Sequence, residues 1–397
     1  MIEMLRTKEN KYIIRTLIVI FSIVLLFSLN IVHAEDDTGT NNVTNQVSES
    51  YDLTGYVNTL NTYLENSQVD GIDIKSITQD LVSNKGFEYK TLISKFLGIF
   101  ANEILVAIRG AIVIYIIIVL MGIIKSFELE KGSDITKIAH LVCFLTLSTV
   151  TIGTFVGVIS IFKDITSTLT TIMQVISPFL MAILIATGAI TSTGIIQPLL
   201  LFISSAIGLL VNYIVVPFLC ISVAFNVICS ISENLKLSRI AKLFPSVALW
   251  ATGISLTVFL GVLSLETSLS SGVDALSVKT TQAVVSNFVP VVGKFFSDSF
   301  ETVVGATKIV GKVGGTIGII AIIVVSLIPI VKIASVFVVY SLLLALSEPV
   351  CSDESIHKYL VGFTNVYKTL LGILIGVIIL FVISTGIILN LASSVVT

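Results

Sequence analysis

Long apolar runs with almost no charge are the feature that most constrains how this chain can fold. A helix needs about 20 apolar residues to cross a bilayer. Such runs occupy 104–124, 138–161, 172–190, 246–265 and 369–392. Only 12% of the residues are charged, against about 25% in a soluble domain. Water cannot solvate so much apolar surface, so the sequence predicts an all-α, polytopic helical membrane protein.

Two further apolar runs are too long for one crossing each. We divide 198–231 at Pro217 and 313–347 at Lys332, because a proline or an intramembrane charge can interrupt a span. The count is then about seven to nine transmembrane helices, and the lower values apply if either run is re-entrant or tilted. We expect transmembrane helices over 104–265, and over 313–397 up to a short C-terminal tail.

Lys and Arg residues set the predicted orientation. They collect in the loops 125–137 and 232–245, and the positive-inside rule places such loops in the cytoplasm. With the spans counted above, residues 266–312 and 348–368 fall outside the cytoplasm. The C-terminal tail is then predicted to be cytoplasmic.

The N-terminus has the pattern of an export signal. A basic region precedes an apolar run at about 17–32, and "VHA" ends at Ala34. The sequence therefore predicts a signal peptide over 1–34, with an uncleaved anchor as the alternative. Residues 35–103 follow as an extracytoplasmic segment with short amphipathic helices.

The segment 266–312 contains "VVSNFVPVVGKFFSDSFETVVG", which is apolar but broken and partly charged. Because the residue before a proline disfavours the helical region, this pattern predicts an amphipathic helix–break–helix element. It lies on the outer surface, or it enters the membrane as a re-entrant hairpin buried in protein. An ordinary amphipathic loop that covers the spans is the alternative. The candidate pore-lining or partner-docking residues are Asn287, Pro290, Gly293, Lys294, Asp298, Glu301 and Gly305.

Polar and small residues within the spans form a second set of candidates. The intramembrane polar candidates are Arg109, Asn212 and Asn226. For Arg109 the alternative is a side chain that reaches the membrane interface or pairs with Glu103. Two GxxxG pairs are predicted to pack helices, within the chain or between subunits: Gly153 with Gly157, and Gly372 with Gly376.

No catalytic, metal-binding or cofactor pattern is recognisable. His33 lies in the predicted signal peptide, His140 begins a span, and His357 lies in a predicted loop. No HExxH or GxSxG motif occurs, and the four cysteines form no CxxC or Cys/His cluster. We therefore expect neither an enzyme nor a cofactor. The chain also lacks a block of basic residues, so a nucleic-acid partner is not expected.

Residues 277–318, "SVKTTQAVVSNFVPVVGKFFSDSFETVVGATKIVGKVGGTIG", resemble the signature region of the stage III sporulation protein AE family. The order of signal sequence, short exported segment and many spans is similar along essentially the whole chain. The resemblance implies a subunit of the mother-cell membrane around the forespore. Its implied partners are the other stage III membrane and ring proteins and, indirectly, stage II protein Q of the forespore.

The resemblance also implies a channel or secretion-like complex needed for endospore formation, and no catalytic residues. Two alternatives come from the residues themselves. A secondary transporter or permease fits the proline-interrupted spans, although those spans lack deep acidic residues. A membrane assembly scaffold without its own pore is the other alternative.

Overall fold

The computed structural model describes residues 53–65, 89–131, 134–231, 238–288, 292–351 and 353–394. Within these residues every regular element is helical, which confirms the all-α class. The helices are α1 (Leu53–Glu65), α2 (Tyr89–Lys131), α3 (Asp134–Ala186), α4 (Ile190–Leu210), α5 (Val216–Ile231), α6 (Ser238–Phe288), α7 (Val292–Ser347) and α8 (Glu354–Ser394). A π-helical turn, Val211–Val215, joins α4 to α5 without a break. The predicted signal peptide, 1–34, lies outside the described residues.

Six helical stretches in the described residues are long and apolar enough to cross a membrane. They are Gly98–Ser126, Ile135–Ala186, Ile190–Ile231, Arg239–Ser277, Thr307–Ser347 and Glu354–Leu391. The sequence predicted seven to nine because we divided runs that are continuous in the structure. The number of crossings in a membrane stays a prediction.

The expected breaks are absent for identifiable reasons. The predicted loop near residue 163 is the middle of α3, where Lys163 and Asp164 are exposed on the helix surface. Pro217 follows the π-helical turn, whose irregular hydrogen bonding accommodates a residue without an N–H group. Lys332 lies half-buried inside the uninterrupted helix α7.

Helices α7 and α8 form the centre of the bundle, and they pack side by side. In their most apolar windows, 67% and 61% of the residues are buried, against 17–39% for the other four spanning stretches. The surrounding helices expose Ile, Leu and Val side chains outward, for example Ile112, Val142 and Ile254. Such an apolar surface has to be covered by lipid or by another protein.

The turn between α7 and α8 lies at the same end of the bundle as the start of α3 and the end of α2. His140 of α3 contacts Asp353 with 2.9 Å between Nε2 and Oδ2. A Cβ atom on Gly122 of α2 would lie 2.5 Å from the carbonyl oxygen of Val350. We call this end, which carries Lys125, the basic end.

The predicted placement of residues 348–368 opposite the Lys-rich loops is therefore wrong. Helix α7 runs from one end of the bundle to the other once, whereas the sequence analysis divided it into two spans. The predicted side of the C-terminus changes with it. Leu389, near the end of α8, packs against Gly315 of α7, far from the basic end.

The helices are much longer than a bilayer is thick. Helix α3 has 53 residues, which corresponds to about 80 Å, whereas a hydrocarbon core is about 30 Å thick. We call the part of the bundle away from the basic end the distal half. It comprises α1, 89–108 of α2, 160–186 of α3, α4, 261–288 of α6, 292–326 of α7 and 375–394 of α8.

Candidate functional site

The turn between α3 and α4 reverses the chain at the tip of the distal half. Gly188 has φ 89°, a left-handed conformation that glycine adopts without a steric penalty. The N–H groups of Gly188 and Ala189 donate to the carbonyls of Ile185 and Leu184 at 3.0 and 2.9 Å. These hydrogen bonds end α3 and aim the first N–H groups of α4 toward α6.

Asp274 of α6 caps the N-terminus of α4. Its Oδ1 accepts a hydrogen bond from the backbone N–H of Thr191 at 2.9 Å, and its Oδ2 accepts one from Ser192 at 2.8 Å. The side chain is 1% exposed. Ala189 at the N-cap position has no side-chain acceptor, so Asp274 supplies from another helix what a local cap would supply.

A glycine segment on α7, Gly311–Gly318, lets three other helices approach the α7 backbone. A Cβ atom on Gly314 would lie 2.1 Å from the Phe179 ring of α3, and one on Gly315 would lie 2.3 Å from Leu389 of α8. A Cβ atom on Gly318 would lie 2.9 Å from the Tyr56 hydroxyl of α1. Any larger residue at these positions has to displace a neighbour.

Tyr56 fastens α1 to this segment. Its ring stacks on Phe179 with the centroids 4.1 Å apart, and its hydroxyl donates to the carbonyl oxygen of Gly314 at 3.1 Å. Burial raises the pKa of Tyr56 well above its usual value. Part of the segment that precedes the first spanning helix is therefore packed into the bundle. We call Tyr56, Asp274, the α3–α4 turn and Gly311–Gly318 the distal junction.

The helix–break–helix element is present at the predicted place. Helix α6 ends at Phe288 and α7 begins at Val292, on either side of Pro290, which lies outside the described residues. Each arm is one end of a helix of more than 50 residues, so neither is a separate short helix. The side chains of Asn287, Lys294, Asp298 and Glu301 also lie outside the described part, and so does the surrounding of Gly293.

Gly305 is the one docking candidate whose surroundings are described. It lies on α7, about two turns before the glycine segment, and a Cβ atom there would have nothing within 4 Å. Among the intramembrane candidates, Arg109 is exposed on α2. Asn212 is exposed and donates to the carbonyl of Gly208 in its own helix at 3.0 Å.

Asn226 is buried where α5 meets α8. A Cβ atom on Gly362 would lie 2.3 Å from the side chain of Asn226, so this glycine makes room for the amide. The GxxxG pairs differ from one another. Gly372 and Gly376 face Leu249 and Leu256 of α6, at 3.8 and 2.9 Å from an added Cβ, whereas Gly153 and Gly157 have nothing within 4 Å.

Sequence reasoning missed the pair formed by His140 and Asp353, which are 213 positions apart. Oδ1 of Asp353 also accepts from the N–H of Ser355 at 2.9 Å, at the start of α8. His140 is the main cause that lowers the pKa of Asp353, and the Ser355 N–H lowers it further, while burial opposes both. The carboxylate is held ionised at the basic end.

These arrangements hold helices together and present surfaces. The described residues contain no group of three or more His, Cys, Asp and Glu side chains that could hold a metal ion. Asp274 and Asp353 use their carboxylate oxygens on helix N-termini and a histidine.

A model of the family named stage III sporulation protein AE matches residues 72–392, which include Asp274, Gly311–Gly318 and both members of the His140–Asp353 pair. The stage III sporulation protein AE of Bacillus subtilis (strain 168) is 25% identical over 220 residues. That alignment covers 55% of this chain and 55% of the relative, about half the length of each. No solved structure matches the chain. Because the family model covers most of its length, this chain belongs to the stage III sporulation protein AE family.

Proposed function

We propose that this chain is a non-enzymatic, multi-pass membrane subunit of the sporulation channel or secretion-like complex that links mother cell and forespore. Its place is the mother-cell membrane around the forespore. Its partners are the other stage III membrane and ring proteins and, indirectly, stage II protein Q. The observation that carries the proposal is that the helices are much longer than one bilayer is thick.

The proposed bilayer surrounds the half of the bundle nearest the basic end. Polar or interfacial side chains appear on several helices at similar heights above that end. Arg109 lies 17 residues from Ser126 on α2, and Lys332 lies 15 residues from Ser347 on α7, which is about 26 and 22 Å. Tyr213, which is 74% exposed, lies about 27 Å from Ile231. Arg and Tyr are frequent at membrane interfaces.

Helix α3 supports the same boundary. Up to Val156 its exposed side chains include Ile138, Val142 and Leu145, as lipid contact requires. From Ser160 onward the exposed residues are mostly polar: Ser160, Lys163, Asp164, Ser167 and Gln174. The buried face of this stretch stays apolar, with Ile165, Leu169 and Ile172. An amphipathic helix of this kind is solvated by water or protein on its polar side.

With this placement about 40 Å of the distal half stands in the space between the two membranes. The distal junction and the helix–break–helix element lie there, and we propose that ring-forming partners dock on them. The apolar side chains that α4 and α6 still expose in this half, among them Phe202 and Leu269, would be covered by protein. Among the docking candidates, Asp298 and Glu301 are the acidic residues and Lys294 is the basic one.

Single-cysteine labelling tests the bilayer placement. In a chain without its natural cysteines, expressed alone in vegetative cells, Gln174→Cys and Ser268→Cys should react with a membrane-impermeant maleimide. Val142→Cys and Ile254→Cys, exposed in the half that we place in lipid, are the matched controls and should be protected. Equal protection of Gln174→Cys and Val142→Cys would contradict the placement.

Co-purification from sporulating cells tests the proposed role. We expect the wild-type chain to bring down other stage III proteins, and Asp298→Lys or Glu301→Lys to lose them and block spore maturation at normal protein levels. Glu354→Lys, a charge reversal at the basic end, is the control and should retain them. A chain that purifies without partners and moves a solute across liposomes by itself would favour the transporter alternative.

A further inference from the structure

Six hydroxyl side chains from three helices meet inside the half of the bundle nearest the basic end. They are Ser148, Thr151 and Thr154 of α3, Tyr340 of α7, and Tyr359 and Tyr367 of α8. Ser148, Tyr340 and Tyr367 are 4%, 2% and 0% exposed. The surroundings are otherwise aromatic and aliphatic. We call these six residues the hydroxyl cluster.

One pair in the hydroxyl cluster bonds directly. The Thr151 hydroxyl contacts the Tyr359 hydroxyl within hydrogen-bonding distance. Thr151 has a single hydroxyl proton, which it shares between the carbonyls of Leu147 and Ser148 at 3.0 and 3.1 Å. Tyr359 is therefore the donor and Thr151 the acceptor.

Three other hydroxyls remain unmatched. The hydroxyls of Tyr340 and Tyr367 face each other, and Ser148 faces Tyr359. Even so, Ser148 Oγ, Tyr340 OH and Tyr367 OH complete no hydrogen bond of good geometry within the part of the chain that the structure describes. Thr154 lies beside Tyr340 and donates to the carbonyl of Val150 at 3.2 Å. Its oxygen therefore keeps lone pairs that can accept a hydrogen bond.

The aromatic rings hold these hydroxyls in place. Tyr340 and Tyr367 meet edge to face with centroids 4.8 Å apart. Phe363, which is fully buried, packs between them and Tyr359, with centroids 4.8 Å from Tyr359 and 6.3 Å from each of the other two. The rings cannot swing away to find partners elsewhere without breaking this packing.

A buried hydroxyl without a partner costs free energy, and three such groups close together are rare in folded proteins. A neutral ligand with both donors and acceptors satisfies them together. A cation is less suitable, because the cluster has no carboxylate to offset its charge in a low-dielectric interior. A buried water makes about three hydrogen bonds to groups of this type.

We propose that Ser148, Tyr340 and Tyr367, with the Thr154 oxygen as a further acceptor, hold at least one ordered water inside the membrane part of the bundle. The site makes the interior between α3, α7 and α8 a hydrated polar pocket. This inference stands independently of the proposed function, since it rests only on the buried contacts.

Radiolytic labelling of the full-length protein in nanodiscs tests the pocket, with water itself as the probe. Hydroxyl radicals formed from a bound water during a short X-ray pulse oxidise the side chains beside it. We expect Tyr340 and Tyr367 to be oxidised although they are buried. After the solvent is exchanged for H₂¹⁸O, we expect ¹⁸O to appear on these side chains only slowly. Phe162 and Phe381, buried among apolar side chains, should stay unmodified. Absence of label on both tyrosines overturns the proposal.

Tyr367→Phe gives a second, independent readout. In a dry pocket this substitution removes an unsatisfied hydroxyl and leaves the Tm unchanged or raises it. In a hydrated pocket it removes a hydrogen bond to the water, and we expect a Tm lower by roughly 2–4 °C together with weaker labelling of Tyr340. If Tyr367→Phe does not fold, Ser148→Ala is measured in its place. An unchanged or raised Tm contradicts a bound water.

Discussion

Nε2 of His140 lies 2.9 Å from Oδ2 of Asp353, and this one contact joins the start of α3 to the start of α8. The contact brings an imidazole nitrogen against a carboxylate oxygen, between residues 213 positions apart in the sequence. With the second oxygen on the Ser355 N–H, Asp353 fixes how the central helix α8 begins. The basic end of the bundle depends on this carboxylate for its geometry.

Asp353→Asn should make the stability of the protein less dependent on pH. The folded pKa of Asp353 is lowered, so its contribution is fully present above the unfolded value of about 4 and is lost as the pH falls through the folded pKa. At pH 7 the variant should have the lower Tm, and the gap to the wild type should close below about pH 4. Thermal unfolding of wild type and variant in detergent, between pH 3 and 7, measures the Tm gap and its change with pH.

Glu354→Gln is the control for that experiment. Glu354 is the next residue, but its side chain is 79% exposed and forms an ion pair with Lys358, one turn later in the same helix. Such surface pairs contribute little to stability. A pH-dependent gap as large for Glu354→Gln as for Asp353→Asn would mean that the contact with His140 is not its source.

Asp274→Ala should loosen the tip of the distal half. The substitution leaves the N–H groups of Thr191 and Ser192 without their acceptors, and that of Ser192 is buried. We expect a loss of about 2 kcal/mol of unfolding free energy. Asp274→Asn keeps one acceptor oxygen and should lose less. Thermal unfolding and proteolysis near residues 187–190 report the change. Ser268→Ala, one to two turns earlier on the same helix, should behave as wild type.

Gly314→Ala should destabilise the distal junction, whereas Gly305→Ala on the same helix should not. The new Cβ at 314 would lie 2.1 Å from the Phe179 ring, and that ring is stacked on Tyr56. Moving it disturbs the stack and the hydrogen bond from Tyr56 to Gly314, so we expect a loss of about 1–3 kcal/mol. At Gly305 the space is open. Equal Tm values for the two variants would argue against tight packing at the glycine segment.

The sequence predicted features that depend on local chemistry and missed features that depend on distant partners. Apolar runs identify the helices, and Pro290 identifies the boundary between α6 and α7. Apolar patterning and the backbone restriction at a proline can both be recognised from a short stretch of sequence. Lys163 and Asp164 could not be assigned in this way. Two charges in an apolar run indicate either a loop or the polar face of a continuing helix, and only the neighbouring helices decide between them.

The distal junction was equally hidden in the sequence. Asp274 is hydrogen-bonded to Thr191, 83 positions away, and Tyr56 to Gly314, 258 positions away. No spacing rule connects residues so far apart. The glycines of 311–318 are visible in the sequence, but their neighbours on α1, α3 and α8 follow from the folded arrangement alone.

Gly153 and Gly157 should tolerate alanine, in contrast to Gly362. Both face outward on α3 with nothing within 4 Å of an added Cβ, whereas a Cβ on Gly362 would lie 2.3 Å from Asn226. Alanine is the better helix former. The double variant Gly153→Ala, Gly157→Ala should therefore be as stable as the wild type, or gain up to about 1 kcal/mol of unfolding free energy per position. Gly362→Ala should lose stability, because the buried amide has to move. Thermal unfolding of the isolated chain distinguishes them, and a destabilised Gly153/Gly157 variant would mean that this face of α3 is packed within the chain after all.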